Sequence, residues 1–115
     1  MSYDLNFWKQ RAGVQLDPQE VYERLSNGER VAGLEDLPID RMLARVAETF
    51  SAGWDRLDEL TWESADATFQ VSSTPQSFRI DCYGMAGEAM DTLIDIGREF
   101  DCPLYDPQTG VRFEL

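Results

Sequence analysis

Carboxylates are the only abundant side chains in this sequence that could carry acid–base chemistry. The 115 residues include 22 acidic and 10 basic side chains and no histidine, which gives a formal net charge of −12. Without histidine the chain lacks the commonest general base and metal ligand and the nucleophiles that histidine activates. A carboxylate pair could still flank a bond across a cleft, but the sequence does not show which acids face each other. We therefore assign no catalytic residue and keep a small carboxylate enzyme as the weakest of three hypotheses.

Motifs for metals and cofactors are missing from the sequence. The two cysteines, Cys82 and Cys102, cannot complete a tetrahedral zinc site unless carboxylates join them. The acids of residues 55–59 do not follow the EF-hand spacing, and no glycine pair leads into the lysine of a phosphate loop. We expect no metal and no cofactor. Both thiols are expected to stay reduced as small, partly buried apolar groups.

The acidic charge bears on the class of partner. A net charge of −12 repels phosphates and anionic lipid, and it attracts basic proteins and speeds their encounter. We therefore expect no nucleic acid, for which phosphate contacts dominate affinity, and no membrane. No apolar run approaches the roughly 20 residues of a spanning helix, and no secretory signal begins the chain, so a cytoplasmic location is expected. The alternative interpretation is that the charge only keeps the protein in solution.

The sequence predicts one α+β domain over residues 1–115. Alternation of apolar and polar residues, the mark of half-buried strands, occurs at residues 3–8, 67–72 and 78–83. A hairpin turn is expected at residues 73–76, helices should begin at Asp17, near residues 37–40 and after Gly84, and a short strand pair closes the chain. We predict a mainly antiparallel sheet packed on about three helices. The first strand should pair beside a hairpin strand, and a ferredoxin-like arrangement is the candidate topology.

Four acids of the third predicted helix form a stripe opposite its apolar face. Glu88, Asp91, Asp95 and Glu99 follow one another at steps of three, four and four residues. Like charges at these spacings destabilise a helix by roughly 0.2–0.5 kcal/mol per pair, and on the sequence only Arg98 offers nearby relief. A basic partner would explain why the stripe is kept, and a solvated helix face is the alternative.

A second acidic region extends from Glu29 to Asp66, with ten acids against four arginines. Within it two tryptophans, Trp54 and Trp62, lie among five of those acids, Asp55, Asp58, Glu59, Glu63 and Asp66. Aromatic side chains rimmed by charge are typical of interface anchors. The alternative is that both indoles cover the core beneath a long loop.

The tail of the chain, residues 100–113 (FDCPLYDPQTGVRF), looks like the end of uncharacterised small bacterial proteins that act as immunity proteins. Together with the size, the acidity and the α+β layout, it makes the chain resemble the immunity proteins that bacteria keep beside contact-dependent or secreted toxins. The resemblance implies that an acidic face docks on a basic toxin domain, often a nuclease, and blocks its active site. It transfers no binding residue by position, and it fits a monomer or a dimer.

The remaining hypothesis is an adaptor or regulatory module of ferredoxin-like type that binds a protein or a small ligand. A pocket lined by Tyr22, Trp54 or Trp62, or a dimer through an exposed sheet edge, would favour it.

Overall fold

The structure, a computed structural model, describes residues 2–113 and shows three helices and seven strands in that range. In chain order they are β1 (Ser2–Phe7), α1 (Pro18–Ser26), α2 (Ile39–Thr49), β2 (Asp55–Asp58), β3 (Thr61–Glu63), β4 (Thr68–Thr74), β5 (Ser77–Tyr83), α3 (Gly87–Glu99), β6 (Leu104–Asp106) and β7 (Val111–Arg112). The predicted α+β class, with a sheet packed on three helices, is confirmed.

All seven strands form one sheet in the order β2-β3-β4-β5-β1-β6-β7, and every neighbouring pair is antiparallel. The first strand lies between β5 and β6, which confirms the prediction that it pairs beside a hairpin strand. The series β1-α2-β4-β5-α3-β6 follows the β-α-β-β-α-β pattern. The fit to a ferredoxin-like arrangement is loose, because α1, the β2–β3 pair and β7 are additional.

The main core lies between one face of the sheet and the helices α2 and α3. Alternate strand residues such as Leu5, Phe69 and Ile80 pack there against Met42 of α2 and Leu93 of α3. These strand side chains recur with the period of two that places them on one face. We call this the helix-side face of the sheet.

Helix α1 and the loop that follows it pack on the opposite face, over β1 and β6 and against the turn between β4 and β5. Trp8, which ends the alternation of β1, and Tyr105 of β6 are buried there against Val21 and Leu25 of α1. The Tyr105 hydroxyl donates a hydrogen bond to Gln19 Oε1. The sheet is therefore covered on both faces at this end and on one face elsewhere.

The ends of α1 follow the signals in the sequence. Asp17 accepts a hydrogen bond from the Gln19 amide at 3.3 Å, and Pro18 occupies the first turn, where no amide donor is needed. Gly28 has a φ of +78°, and the Glu29 amide bonds back to the Arg24 carbonyl at 3.0 Å. This left-handed glycine closes the helix as predicted.

Residues 54–66, which show no clean period in the sequence, form the β2–β3 hairpin. All four residues of β2 are exposed, because β2 is the outermost strand and no helix lies over it. A strand without a buried face has no apolar alternation to detect.

Gly97 is the closest point between α3 and the sheet. A Cβ at this position would lie 2.5 Å from two ring carbons of Phe7 and 3.1 Å from the Cys102 carbonyl oxygen. Phe7 is buried, so its ring has little room to move.

We expect Gly97→Ala to lower the free energy of unfolding by about 1–3 kcal/mol, as overpacked cores do, although alanine is the better helix former. Gly87→Ala in the same helix is the control, since no atom lies within 4 Å of its added Cβ. Urea unfolding of both variants measures the difference. Equal midpoints for the two variants would show that the helix is not held this closely.

Candidate functional site: acidic surfaces on the sheet and on the third helix

The four predicted acids of the β2–β3 hairpin, Asp55, Asp58, Glu59 and Glu63, are all exposed, and we call them the hairpin patch. Asp55 of β2 lies directly opposite Glu63 of β3 in the strand register. Like charges in a cross-strand pair destabilise a hairpin. The repulsion between Asp55 and Glu63 therefore lowers the stability of the hairpin, and a basic group bound from outside would offset it.

Asp58 has a structural task within the hairpin patch. Its Oδ1 accepts a hydrogen bond from the Leu60 amide at 2.8 Å, and this amide, followed by the Thr61 hydroxyl, holds the pKa of Asp58 below its usual value. The side chain therefore stays ionised while it shapes the turn between the two strands.

Arg56 is the basic residue of the hairpin, and its side chain turns toward the helix-side face. Its guanidinium lies 4.9 Å from the Trp62 ring centroid and donates to the Glu59 carbonyl at 2.8 Å. A cation over an indole face is attracted by the ring quadrupole. Arg56 thereby covers the end of the core.

Trp62, which the sequence offered as an interface anchor, is 1% exposed and belongs to the core. Its ring stacks on Phe69 of β4 at 5.1 Å between centroids, with 7° between the planes. Trp54 is half-buried and meets Phe50 and Phe69 edge-on at 5.4 and 5.3 Å. The alternative interpretation, that the indoles cover the core, is therefore correct for Trp62 and largely so for Trp54. The anchor assignment of Trp62 is wrong, because a buried ring cannot meet a partner.

All four acids of the α3 stripe are exposed, as the helical spacing predicts, and we call them the helix stripe. Two of them are partly neutralised. Arg98 lies 3.7 Å from Asp95, and Arg45 of α2 donates from Nε to Glu99 at 2.9 Å. The expectation that only Arg98 offers relief is wrong, because helix packing brings Arg45 to the end of α3. This bond to Glu99 raises the pKa of Arg45.

The part of the sheet that α1 does not cover has an exposed polar surface. Phe69 of β4 and Cys82 of β5 face the helices, so the residues that alternate with them face the other way. Five of these define what we call the open face: Asp55, Glu63, Gln70, Asp81 and Tyr83. Tyr83, the last residue of β5, is 51% exposed on this face. The sequence did not single out Tyr83, and the only signal for it was its position in the β5 alternation.

The hairpin patch and the helix stripe do not form one surface. Strands in a sheet are about 4.8 Å apart, so β2 and the β6 strand that α3 contacts are separated by roughly 24 Å, five strand spacings. The two acidic surfaces also lie on opposite sides of the sheet, because Asp55 and Glu63 belong to the open face and α3 packs on the helix-side face.

A half-buried ion-pair cluster connects β1 and β5 at the edge of the open face, to which its Asp81 belongs. Asp4 and Asp81 lie opposite each other in the register, and Arg79 donates to both, at 3.1 Å to Asp4 and 2.9 Å to Asp81. Burial, followed by a hydrogen bond with Asp81, raises the pKa of Asp4. Sequence reasoning missed this cluster, because the 75 residues between Asp4 and Arg79 hide their contact.

Both cysteines are free and buried, as expected. Burial raises the pKa of each thiol from its usual 9.0 to about 12. A thiol in this state has almost no nucleophilic thiolate at neutral pH. Within residues 2–113 no group of three or more cysteine, aspartate or glutamate side chains is placed to hold a metal ion.

Comparison of the chain with protein-family models, curated protein sequences and solved structures finds no match. No helix within residues 2–113 has both the length and the apolar character needed to cross a membrane. The functional argument therefore depends on the surfaces described above.

The thiol environment predicts how the cysteines react. We expect Ellman's reagent to label the native protein at pH 8 at least about a hundredfold more slowly than the urea-unfolded protein, because only thiolate attacks.

The same raised pKa values predict how stability depends on pH. Above pH 9 the thiols of the unfolded protein ionise and the buried thiols of the folded protein do not. Stability should then fall with rising pH by about 1.4 kcal/mol per thiol per pH unit until the folded pKa is reached. Cys82→Ala should roughly halve this slope, and an unchanged slope would contradict the assignment.

Proposed function

We propose that this protein is a non-catalytic immunity protein of bacteria, which binds a cognate toxin through an acidic surface and blocks it in the cytoplasm. One observation carries the proposal, namely the exposed Tyr83 ring on the open face at the end of β5. Asp81 lies two residues before it on the same strand, and Glu63 lies in the same cross-strand row beyond Thr68 of β4. An accessible aromatic group with a charged rim has the composition of an interface hot spot.

The charge of the open face supports a basic partner. Asp55, Glu63 and Asp81 place carboxylates on three strands of the same face, and the whole chain carries a net charge of −12. Such a field speeds association with a positive surface. A nuclease domain is basic where it binds phosphates, so it is the toxin class that fits best, and the resemblance of residues 100–113 to tails of immunity proteins supports the same choice.

An affinity capture from the native host tests the partner class. The full chain serves as bait at about 50 mM and about 500 mM salt, since added salt screens exposed charges. We expect the main captured protein to be basic, to be encoded beside this chain and to associate more slowly at the higher salt. Capture of an acidic protein, or of no protein at either salt, would overturn the proposal.

Paired variants test which surface binds. Asp55→Asn with Glu63→Gln removes two charges from the open face, and we expect it to slow association by roughly tenfold at low salt. Tyr83→Ser should raise the dissociation rate of the complex, because it removes the aromatic anchor. Stopped-flow or surface plasmon resonance against the captured partner gives both rates.

The matched controls lie on the helix stripe and on its neighbouring aromatic residue. Asp91→Asn with Asp95→Asn removes the same number of charges, and Phe113→Ser removes another exposed ring, which is 46% exposed. We expect smaller effects from both. A larger effect from these controls would move the interface to α3, whereas unchanged rates for Asp91→Asn with Asp95→Asn would identify the helix stripe as a solvated face.

An adaptor or regulatory module that binds a small ligand is the second candidate. The observation that favours it is a groove beside Tyr22, one of the residues that the sequence offered as a pocket lining.

A further inference from the structure

A groove of about 230 Å³ opens between α1 and the strands β1, β4 and β5. Its aromatic side consists of Trp8 and Tyr22, and its polar side includes Ser72, Ser77 and the Arg79–Asp81 ion pair. Pockets for drug-sized ligands measure roughly 300–1,000 Å³. The groove is smaller, so it suits a single side chain or a small molecule of that size.

Asn6 marks the groove as a binding site. It lines the groove, is 6% exposed, and makes one long hydrogen bond, from Nδ2 to the Asp4 carbonyl at 3.4 Å. Among the described residues its Oδ1 accepts no hydrogen bond. Gln76, the other buried polar residue, makes three bonds, to the Val31 amide and to the Val31 and Leu34 carbonyls. Because Oδ1 is not itself fully buried, it offers the groove a hydrogen-bond acceptor that a donor could meet.

The charge of the groove selects the type of donor. Arg79 and Asp81 line the groove as one opposite-charge pair. Asp4 does not line the groove, but it pairs with the same Arg79, so the three side chains together carry one surplus negative charge. A cation would offset this surplus, whereas an anion would meet both the cluster and the −12 charge of the chain.

We infer that the groove binds a guanidinium or ammonium group. The bound group donates hydrogen bonds to Asn6 Oδ1 and the Asp81 carboxylate, and its stem lies along the Tyr22 ring, where a cation is attracted. The site does not depend on the proposed function. The group can belong to a free amine or to an arginine or lysine side chain of a polypeptide.

Titration of the ¹⁵N-labelled full chain followed by NMR tests the inference. Agmatine serves as the free cation, an acetylated and amidated Gly-Arg-Gly as the polypeptide source, and the same peptide with citrulline as the uncharged match. We expect saturable shifts of the Asn6, Ser72 and Asp81 amides with both cations, and at least about tenfold weaker binding of the citrulline peptide. Whichever of the two cations binds more tightly shows whether the natural ligand is a free amine or a side chain of a polypeptide.

Two substitutions on β4 provide a matched pair. Ser72→Arg places a guanidinium in the groove and should abolish binding, whereas Thr68→Arg adds the same charge to the same face outside the groove, opposite Tyr83 and Glu63, and should leave the affinity within about twofold. Ser72 is exposed and Thr68 is half-buried at the rim of the sheet, so both variants should fold. Asp81→Asn should weaken binding at least about fivefold, with Asp55→Asn as its control.

Three results would overturn the inference. They are equal binding of the arginine and citrulline peptides, tighter binding of an otherwise identical Gly-Asp-Gly peptide, and unchanged binding by Ser72→Arg. Shifts confined to the hairpin patch or the helix stripe would likewise show that the cation follows the surface charge and not the groove.

Discussion

Strand β1 is the element on which both layers of the fold depend, because it is paired on both edges and covered on both faces. Leu5 and Phe7 reach the core beneath α2 and α3, whereas Trp8 reaches the second core beneath α1. The close approach of Gly97 to Phe7 fixes the height of α3 above this strand. Displacement of β1 by one residue would exchange the two faces and place polar side chains in both cores.

The same strand determines where charge can be buried. Asp4 faces the side opposite to Leu5, and pairing with β5 brings it beside Asp81 and Arg79. Other arginines also contact groups of this chain, since Arg45 forms an ion pair with Glu99 and Arg56 lies over the Trp62 ring. Because these arginines are engaged elsewhere, only Asp81 of the open-face carboxylates is paired with a base, and Asp55 and Glu63 form no ion pair among the described residues. The surface acidity thus follows from how the few bases are used as well as from composition.

Periodicity in the sequence was sufficient to predict β1, β4, β5 and the three helices, because each of these elements has an apolar face. It failed for β2, since no residue of this strand is buried. It also left open whether Trp62 is an interface anchor or part of the core, because a three-residue strand beside acids gives no sign of the ring that stacks on it. The exposed acids of the hairpin patch and the helix stripe were predicted, but their separation was not, since it depends on strand order.

Contacts between distant residues account for what sequence reasoning missed. The Arg45–Glu99 pair spans 54 residues and the Arg79–Asp4 pair spans 75, so neither follows from local spacing. The open face also emerges only when β3, β4 and β5 are aligned in register. A bare sheet face and an outer strand such as β2 invite association with a second copy, and charge on them opposes it. The carboxylates that would repel a second copy at this face attract a basic surface, so one set of side chains both keeps the sheet from pairing with itself and selects the partner.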